Sequence, residues 1–406
     1  MIKTNKIYAA NTTNIRRINC DEYLPMRRII AIFNANAIKM KTYIHQLKEW
    51  PKFRWREDVI LELLSAVRYR QGKLIGFMQA LGFQLQEEAT LETLTLDVLK
   101  SSEIEGEILD ADEVRSSIAR RLGMEIAGLV LSDRHVDGIV EMMLDATQNY
   151  KNDLTTERLF GWQAALFPTG RSGMHKIVVG EWRNNTEGNP MQVVSGAIGN
   201  EKIHFKAPDS SLIQDEMTAF LKWFKVEISS DPIIKAAVAH LWFITIHPFE
   251  DGNGRIARAI TDLQLARADE SNQRFYSMSA QMRKERNAYY DILEKTQKGS
   301  LDITEWIKWF LICLNNALIA TDEILLLVKR KAMFWEHHAA TSLNDRQQIM
   351  INKLLDGFDG KLTSSKWAKI AKCSSDTAVR DINALLAKGI LVKENAGGRS
   401  TSYLLN

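Results

Sequence analysis

The strongest constraint on this chain is a pair of helical stripes joined by a crowded loop. Apolar residues recur at Ile233, Ile234, Ala237, Val238, Leu241 and Trp242, with Pro232 suited to the first turn. Ile256, Ile260 and Leu263 carry a second stripe. Between them runs HPFEDGNGRIAR, from His247 to Arg258. Two helices must therefore meet where an imidazole, two acids, two glycines, an asparagine and two arginines share twelve residues. A plain helix–helix connection needs only one or two such residues.

The chemistry of those residue types is specific. Gly252, Asn253 and Gly254 free the backbone and leave room for a ligand. Amides at the start of the next helix would point outward and make an anion site. Arg255 and Arg258, three residues apart, share a helix face and suit phosphate oxygens. Asp251 offers a hard oxygen for Mg²⁺. His247 is placed to take a proton from a hydroxyl. The layout suits phosphoryl or nucleotidyl transfer. GNGRIA also fits a loose dinucleotide fingerprint, but that needs a strand before it, and a helix is expected here.

The other regions follow from composition and period. The 406 residues are 45% apolar and 25% charged, ordinary for a chain with a substantial core and about two or three domains. Only seven prolines interrupt long Leu/Ala/Lys/Glu/Arg-rich stretches, so helices should dominate. A net charge of +3 excludes no partner class. Cys20, Cys313 and Cys373 form no CxxC pair, which fits a reducing compartment and gives no zinc site. No apolar run approaches the ~20 residues that span a bilayer. MRRIIAIFNANAIKMK begins only at Met26 and is broken by asparagines, so no secretion signal is read. A cytoplasmic protein without a membrane partner is expected.

Residues 1–39 carry seven Lys/Arg against two acids and no sustained period. They read as a leader, and Met40, where the amphipathic pattern begins, is a candidate natural start. Helices are expected at about 56–78, 91–102 and within DADEVRSSIARRLG, whose acids suit a helix N-terminus. Short β-branched runs over 176–208 suggest a hairpin. The expected division is a leader at 1–39, a helical region at 40–115, a core at 116–327, a connecting helix at 328–342 and a separate module at 343–406.

HPFEDGNGRIAR resembles the Fic family signature HxFx[DE]GNGRxxR at every specified position, and the resemblance extends over about 40–327. It implies an all-α Fic-type helical core with a small β-hairpin flap. It also implies transfer of AMP from ATP, with Mg²⁺, to a Ser, Thr or Tyr hydroxyl of a target protein, the chain itself included. His247 would be the general base and Asp251 the Mg²⁺ ligand. Gly252, Asn253, Gly254, Arg255, Ile256, Ala257 and Arg258 would form the phosphate site. A flap over 176–196, with Met191, Gln192, Val193 and Val194 in its second strand, would dock target main chain at an open edge. Tyr290, with Tyr289 beside it, would face the adenine. Gln297 departs from an asparagine of related proteins. Upstream, Ser101, Glu105 and Gly106 in SSEIEGEIL are similar to the family's inhibitory motif [ST]xxxE[GN]. Ser101 and Glu105 share a helix face, and Glu105 would engage Arg258. In some relatives the corresponding glutamate also supports AMP removal.

SSKWAKIAKCSSDTAVRDINALLAKGILVKENAGGRSTSYLL reads as helix, turn, helix and a hairpin around Gly397-Gly398, with Ser374 or Ser375 as cap. It resembles a winged helix–turn–helix. Eight Lys/Arg against three acids over 361–406 suit DNA phosphates, with Arg380, Lys388 and Arg399 as contacts. A protein-docking or homodimer role stands beside that reading. The alternative to an enzyme is a nucleotide-sensing, DNA-binding transcription regulator.

Overall fold

The computed structural model describes residues 15–17, 42–79, 83–124, 128–185, 190–196, 202–226, 231–358, 360–394 and 401–406. Met40, the Gly397-Gly398 turn and the leader other than 15–17 lie outside the described residues. The first half of the described chain runs β1 (Ile15–Arg17), α1 (Glu57–Gln79), α2 (Phe83–Ile104), α3 (Ala111–Arg121), α4 (Arg134–Gln148) and α5 (Thr156–Leu166). Short strands follow: β2 (Arg171–Ser172), β3 (His175–Lys176), β4 (Gln192–Ser195) and β5 (Lys202–Lys206). The helices resume with α6 (Ile213–Lys225), α7 (Pro232–Ile246), α8 (Asn253–Asp269), α9 (Met278–Lys284), α10 (Arg286–Gln297) and α11 (Thr304–His337). The chain closes with α12 (Asp345–Leu355), α13 (Ser364–Ile370), α14 (Ser375–Ala387), β6 (Leu391–Lys393) and β7 (Tyr403–Leu405).

The fold is mostly helical, and several of its helices start at residues that satisfy orphan amides. Asp110 accepts from the amides of Asp112 and Glu113 at α3. Asp231 caps α7, with Pro232 in the first turn, and Ser374 caps α14. The expected helices at 56–78 and within 110–123 correspond to α1 and α3. The one expected at 91–102 is the C-terminal half of α2. α11 runs unbroken across position 327, where a boundary was expected, because residues 304–337 contain no Gly or Pro to stop it.

α7 lies at the centre, buried at every position from Ile233 to Ile246, and α8 is buried from Asn253 to Ala266. A helix apolar all round belongs inside a core. α2 is held near α8 by polar contacts at α9, where Ser277 Oγ donates to Asp97 at 2.5 Å. Met350, Leu362, Trp367, Ile382 and Leu391 form a second core within α12–α14 and β6–β7. Ion pairs tie it to the body: Lys331 of α11 meets Glu88 and Asp356, each at 2.8 Å, and Lys353 meets Asp112 at 2.8 Å.

The strands correct the expected hairpin. Gln192–Ser195 is the first strand of its pair, antiparallel to Lys202–Lys206, while His175–Lys176 pairs with Arg171–Ser172. Side-chain demand explains the choice. Ile177 and Val179 pack on the main core, whereas Phe205 joins Met191 and Tyr43 in a small cluster of its own. β4 is also a central strand, since β1 pairs along its other side with Ile15 opposite Gln192. The open edge expected for Met191–Val194 is therefore occupied, and Met191 and Val194 point inward, each 1% exposed.

Candidate active site

Residues 247–258 turn between α7 and α8. His247 caps α7 in the left-handed region, φ 53°. Its Nδ1 faces the Ile244 carbonyl at 3.3 Å. A carbonyl only accepts, so Nδ1 is the donor in this contact and Nε2 is the ring nitrogen left to face the turn. The ring is 4% exposed, so a hydroxyl reaches it only after part of its cover moves.

Arg183, which the sequence reading missed, braces this turn from beneath. Its Nε donates to the His247 carbonyl at 2.7 Å, and Nη2 donates to the Pro208 carbonyl at 2.6 Å. Its amide donates to the Pro248 carbonyl at 2.9 Å. Burial lowers its pKa to about 10, which still leaves it charged at neutral pH. Replacing Arg183 with methionine keeps bulk but orphans buried carbonyls. We expect a stability loss of about 3 kcal/mol in urea unfolding. An unmoved midpoint would show that the turn holds without it.

Asn253, expected at the phosphates, also staples the turn. Its Oδ1 accepts from the Phe249 amide at 2.9 Å, and its Nδ2 donates to the Phe249 carbonyl at 2.7 Å. Ile256 and Ala257 differ from expectation. The Ile256 amide is already bonded to the Gly252 carbonyl at 2.9 Å, and both side chains are core, 0% exposed. A helix gives its first few amides no partner within the helix, here those of the turn opened by Asn253, Gly254 and Arg255. Asp251 lies beside this turn, its Oδ2 accepting from Ser172 Oγ.

The upstream acid is brought directly onto that turn. Arg258 donates Nε to Ser101 Oγ at 2.9 Å, and Nη2 to the Ser101 carbonyl at 2.9 Å and to Glu105 Oε1 at 3.0 Å. Glu105 Oε1 would stand 1.9 Å from a Cβ added at Gly254, so only glycine admits the carboxylate there. Gly106, at φ +84°, turns the chain immediately afterwards. Arg255 Nη1 donates to Glu107 Oε2 at 2.8 Å, and its guanidinium lies 5.1 Å over the Phe167 ring.

The two tyrosines separate. Tyr289 is 2% exposed, and its hydroxyl lies 3.0 Å from His240 Nε2, so it packs within the core. Tyr290 remains partly exposed beside the acid. Its hydroxyl is 3.4 Å from the Ile104 carbonyl, and Arg286 lies 5.1 Å over its ring. Gln297 is buried, donating to Thr245 Oγ1 at 3.3 Å.

The motif between α7 and α8 lies within a segment that matches a known domain. The family model described as Fic/DOC family matches residues 153–265, so a Fic/DOC-family domain is recognised there. A second model, described as a domain of unknown function (DUF4172), matches residues 43–124. The Glu105–Arg258 contact joins the two matched segments. Protein adenylyltransferase Fic of Drosophila yakuba is 34% identical over 104 residues, 25% of this chain and 19% of that protein. Protein adenylyltransferase fic-1 of Caenorhabditis elegans is 30% identical over 93 residues, 22% of this chain and 18% of that protein. The chain thus spans about a fifth of the length of these curated relatives. A Fic family protein from Desulfovibrio desulfuricans G20 has 18% identity and a TM-score of 0.49, over 86% of this chain and 96% of that one. Among the described residues, no helix is long and apolar enough to cross a membrane.

Proposed function

We propose that this chain is a protein adenylyltransferase, held back by Glu105, that moves AMP from ATP to a Ser, Thr or Tyr hydroxyl of a protein, itself included. The observation that carries this reading is His247, with Nδ1 turned to the Ile244 carbonyl, standing at the end of α7 just before the first turn of α8. Nε2 would take the hydroxyl proton, and the freed oxygen would attack the α-phosphorus. The bond to the β-phosphate breaks, and pyrophosphate leaves. Amides of α8's first turn and the two arginines would hold the phosphates. No group of three or more His, Cys, Asp or Glu side chains that could enclose a metal occurs among the described residues. A lone carboxylate nevertheless fits Mg²⁺, which keeps its waters and takes substrate phosphates. Asp251 would hold that ion, which would screen phosphate charge.

Glu105 supplies the restraint, since its carboxylate occupies both Arg258 and the face of Gly254 where a phosphate would rest. Incubating the Glu105→Gly chain with ATP labelled at the α-phosphate tests the proposal. Label on protein supports it, and none, with ATP bound, rejects it. A nucleotide sensor would need the phosphate grip but no imidazole base, which disfavours the regulator reading.

α13, α14 and the β6–β7 pair suit a winged helix–turn–helix. Arg380 and Asn383 stand exposed on α14, a face that fits duplex DNA phosphates. Lys388 is already engaged with the Ser342 carbonyl. Binding of duplex DNA that falls steeply with added salt is expected. No binding at low salt would instead favour a protein partner or a homodimer.

A further inference from the structure

Residues 101–107 bring a second carboxylate to the phosphate site, and it is placed differently from the first. Gly106 reverses the chain, so Glu105 and Glu107 both reach α8's first turn. Glu105 lies against Gly254 and Arg258 with its side chain 12% exposed. Glu107 touches only the outer edge of Arg255, through Nη1, with its side chain 32% exposed. Its other oxygen is held by His135 Nε2, from the first turn of α4.

Arg255 is thereby fixed on two sides. Phe167 covers the face of its guanidinium, and Glu107 holds one edge. An arginine has many rotamers, and ordering one before a ligand arrives removes that cost from binding. A nearby acid also repels phosphate, so the sign of the effect must be decided. Glu107 is about a third exposed to water and shares its charge with His135, whose pKa it raises. Screening weakens the repulsion, whereas the geometric restraint is undiminished.

We infer that Glu107, anchored by His135, is a positioning residue that presents Arg255 to the nucleotide phosphates, in contrast to Glu105, which excludes them. This rests on reading α8's first turn as a phosphate cradle.

The test uses the full chain in the Glu105→Gly background, with inorganic triphosphate titrated calorimetrically and AMP transfer measured in parallel. Glu107→Gln is expected to weaken triphosphate binding about tenfold. KM for ATP should rise similarly with kcat nearly unchanged, and Glu107→Asp should recover part of the loss. A merely structural role would lower the melting temperature without splitting KM from kcat. Unchanged binding overturns the inference, and tighter binding makes Glu107 a second blocking acid instead. Triphosphate binding that depends on Glu107, without AMP transfer, sinks the enzyme reading alone. No triphosphate binding by the Glu105→Gly chain sinks both.

Discussion

The Glu105→Gly chain is expected to transfer AMP roughly 10- to 150-fold faster than the parent. The estimate follows from one contact. Arg258 is 2% exposed at its side chain, and Glu105 12%, so their 3.0 Å pair is sheltered from water. Hydrogen bonds to charged groups contribute about 1.5–3 kcal/mol, which is the range of rates quoted. Removing the acid releases one edge of Arg258 and clears the Gly254 face together. Ser101 still bonds Arg258 through its hydroxyl and its carbonyl, so α2 should keep its place. The buried guanidinium then lacks its counter-charge. The variant should unfold at a somewhat lower temperature, and saturating ATP should restore it. Initial rates of label transfer decide the matter. An unaltered rate in a chain that still binds ATP would mean that Glu105 does not restrain the reaction.

Adding His247→Ala to that background should cut transfer by about 10²- to 10⁴-fold while ATP affinity stays within about threefold. The imidazole lies at the end of α7, whereas the proposed phosphate grip belongs to α8, so the two properties should separate. One complication is conformational. His247 sits at φ 53°, where alanine is disfavoured by about 1–2 kcal/mol. His247→Asn is the better partner variant, because asparagine tolerates the left-handed region without supplying a base. Both variants should lose transfer. If either keeps it, the proton goes elsewhere.

The loop was legible because its residues are neighbours in the chain, and Ser101 with Glu105 because a helix makes four-residue spacing a shared face. The pairings that complete the site span much longer separations: Glu107 with Arg255 across 148 residues, Arg183 with His247 across 64, and Arg286 with Ile104 across 182. No periodicity encodes such partners. Glu107 left one faint signal, a second acid flanking Gly106 in the same short stretch. Residue type also conceals which atoms are engaged. Asn253 also holds Phe249 through its carboxamide, and Tyr289 meets His240 through its hydroxyl. The strand partner of Met191–Val194 depended on where Phe205 could be buried, a question of three-dimensional packing.

Lys331 touches Glu88 near one end of α2 and Asp356 just past α12, while Glu105 follows the other end of α2. At about 1.5 Å per residue, that helix behaves as a stiff rod on the order of 25 Å long between Glu88 and the carboxylate on Arg258. The distal module is thus tied through α2 to the segment that carries Glu105, the proposed brake. Force applied to one end of such a rod arrives at the other as displacement, with little lost to bending.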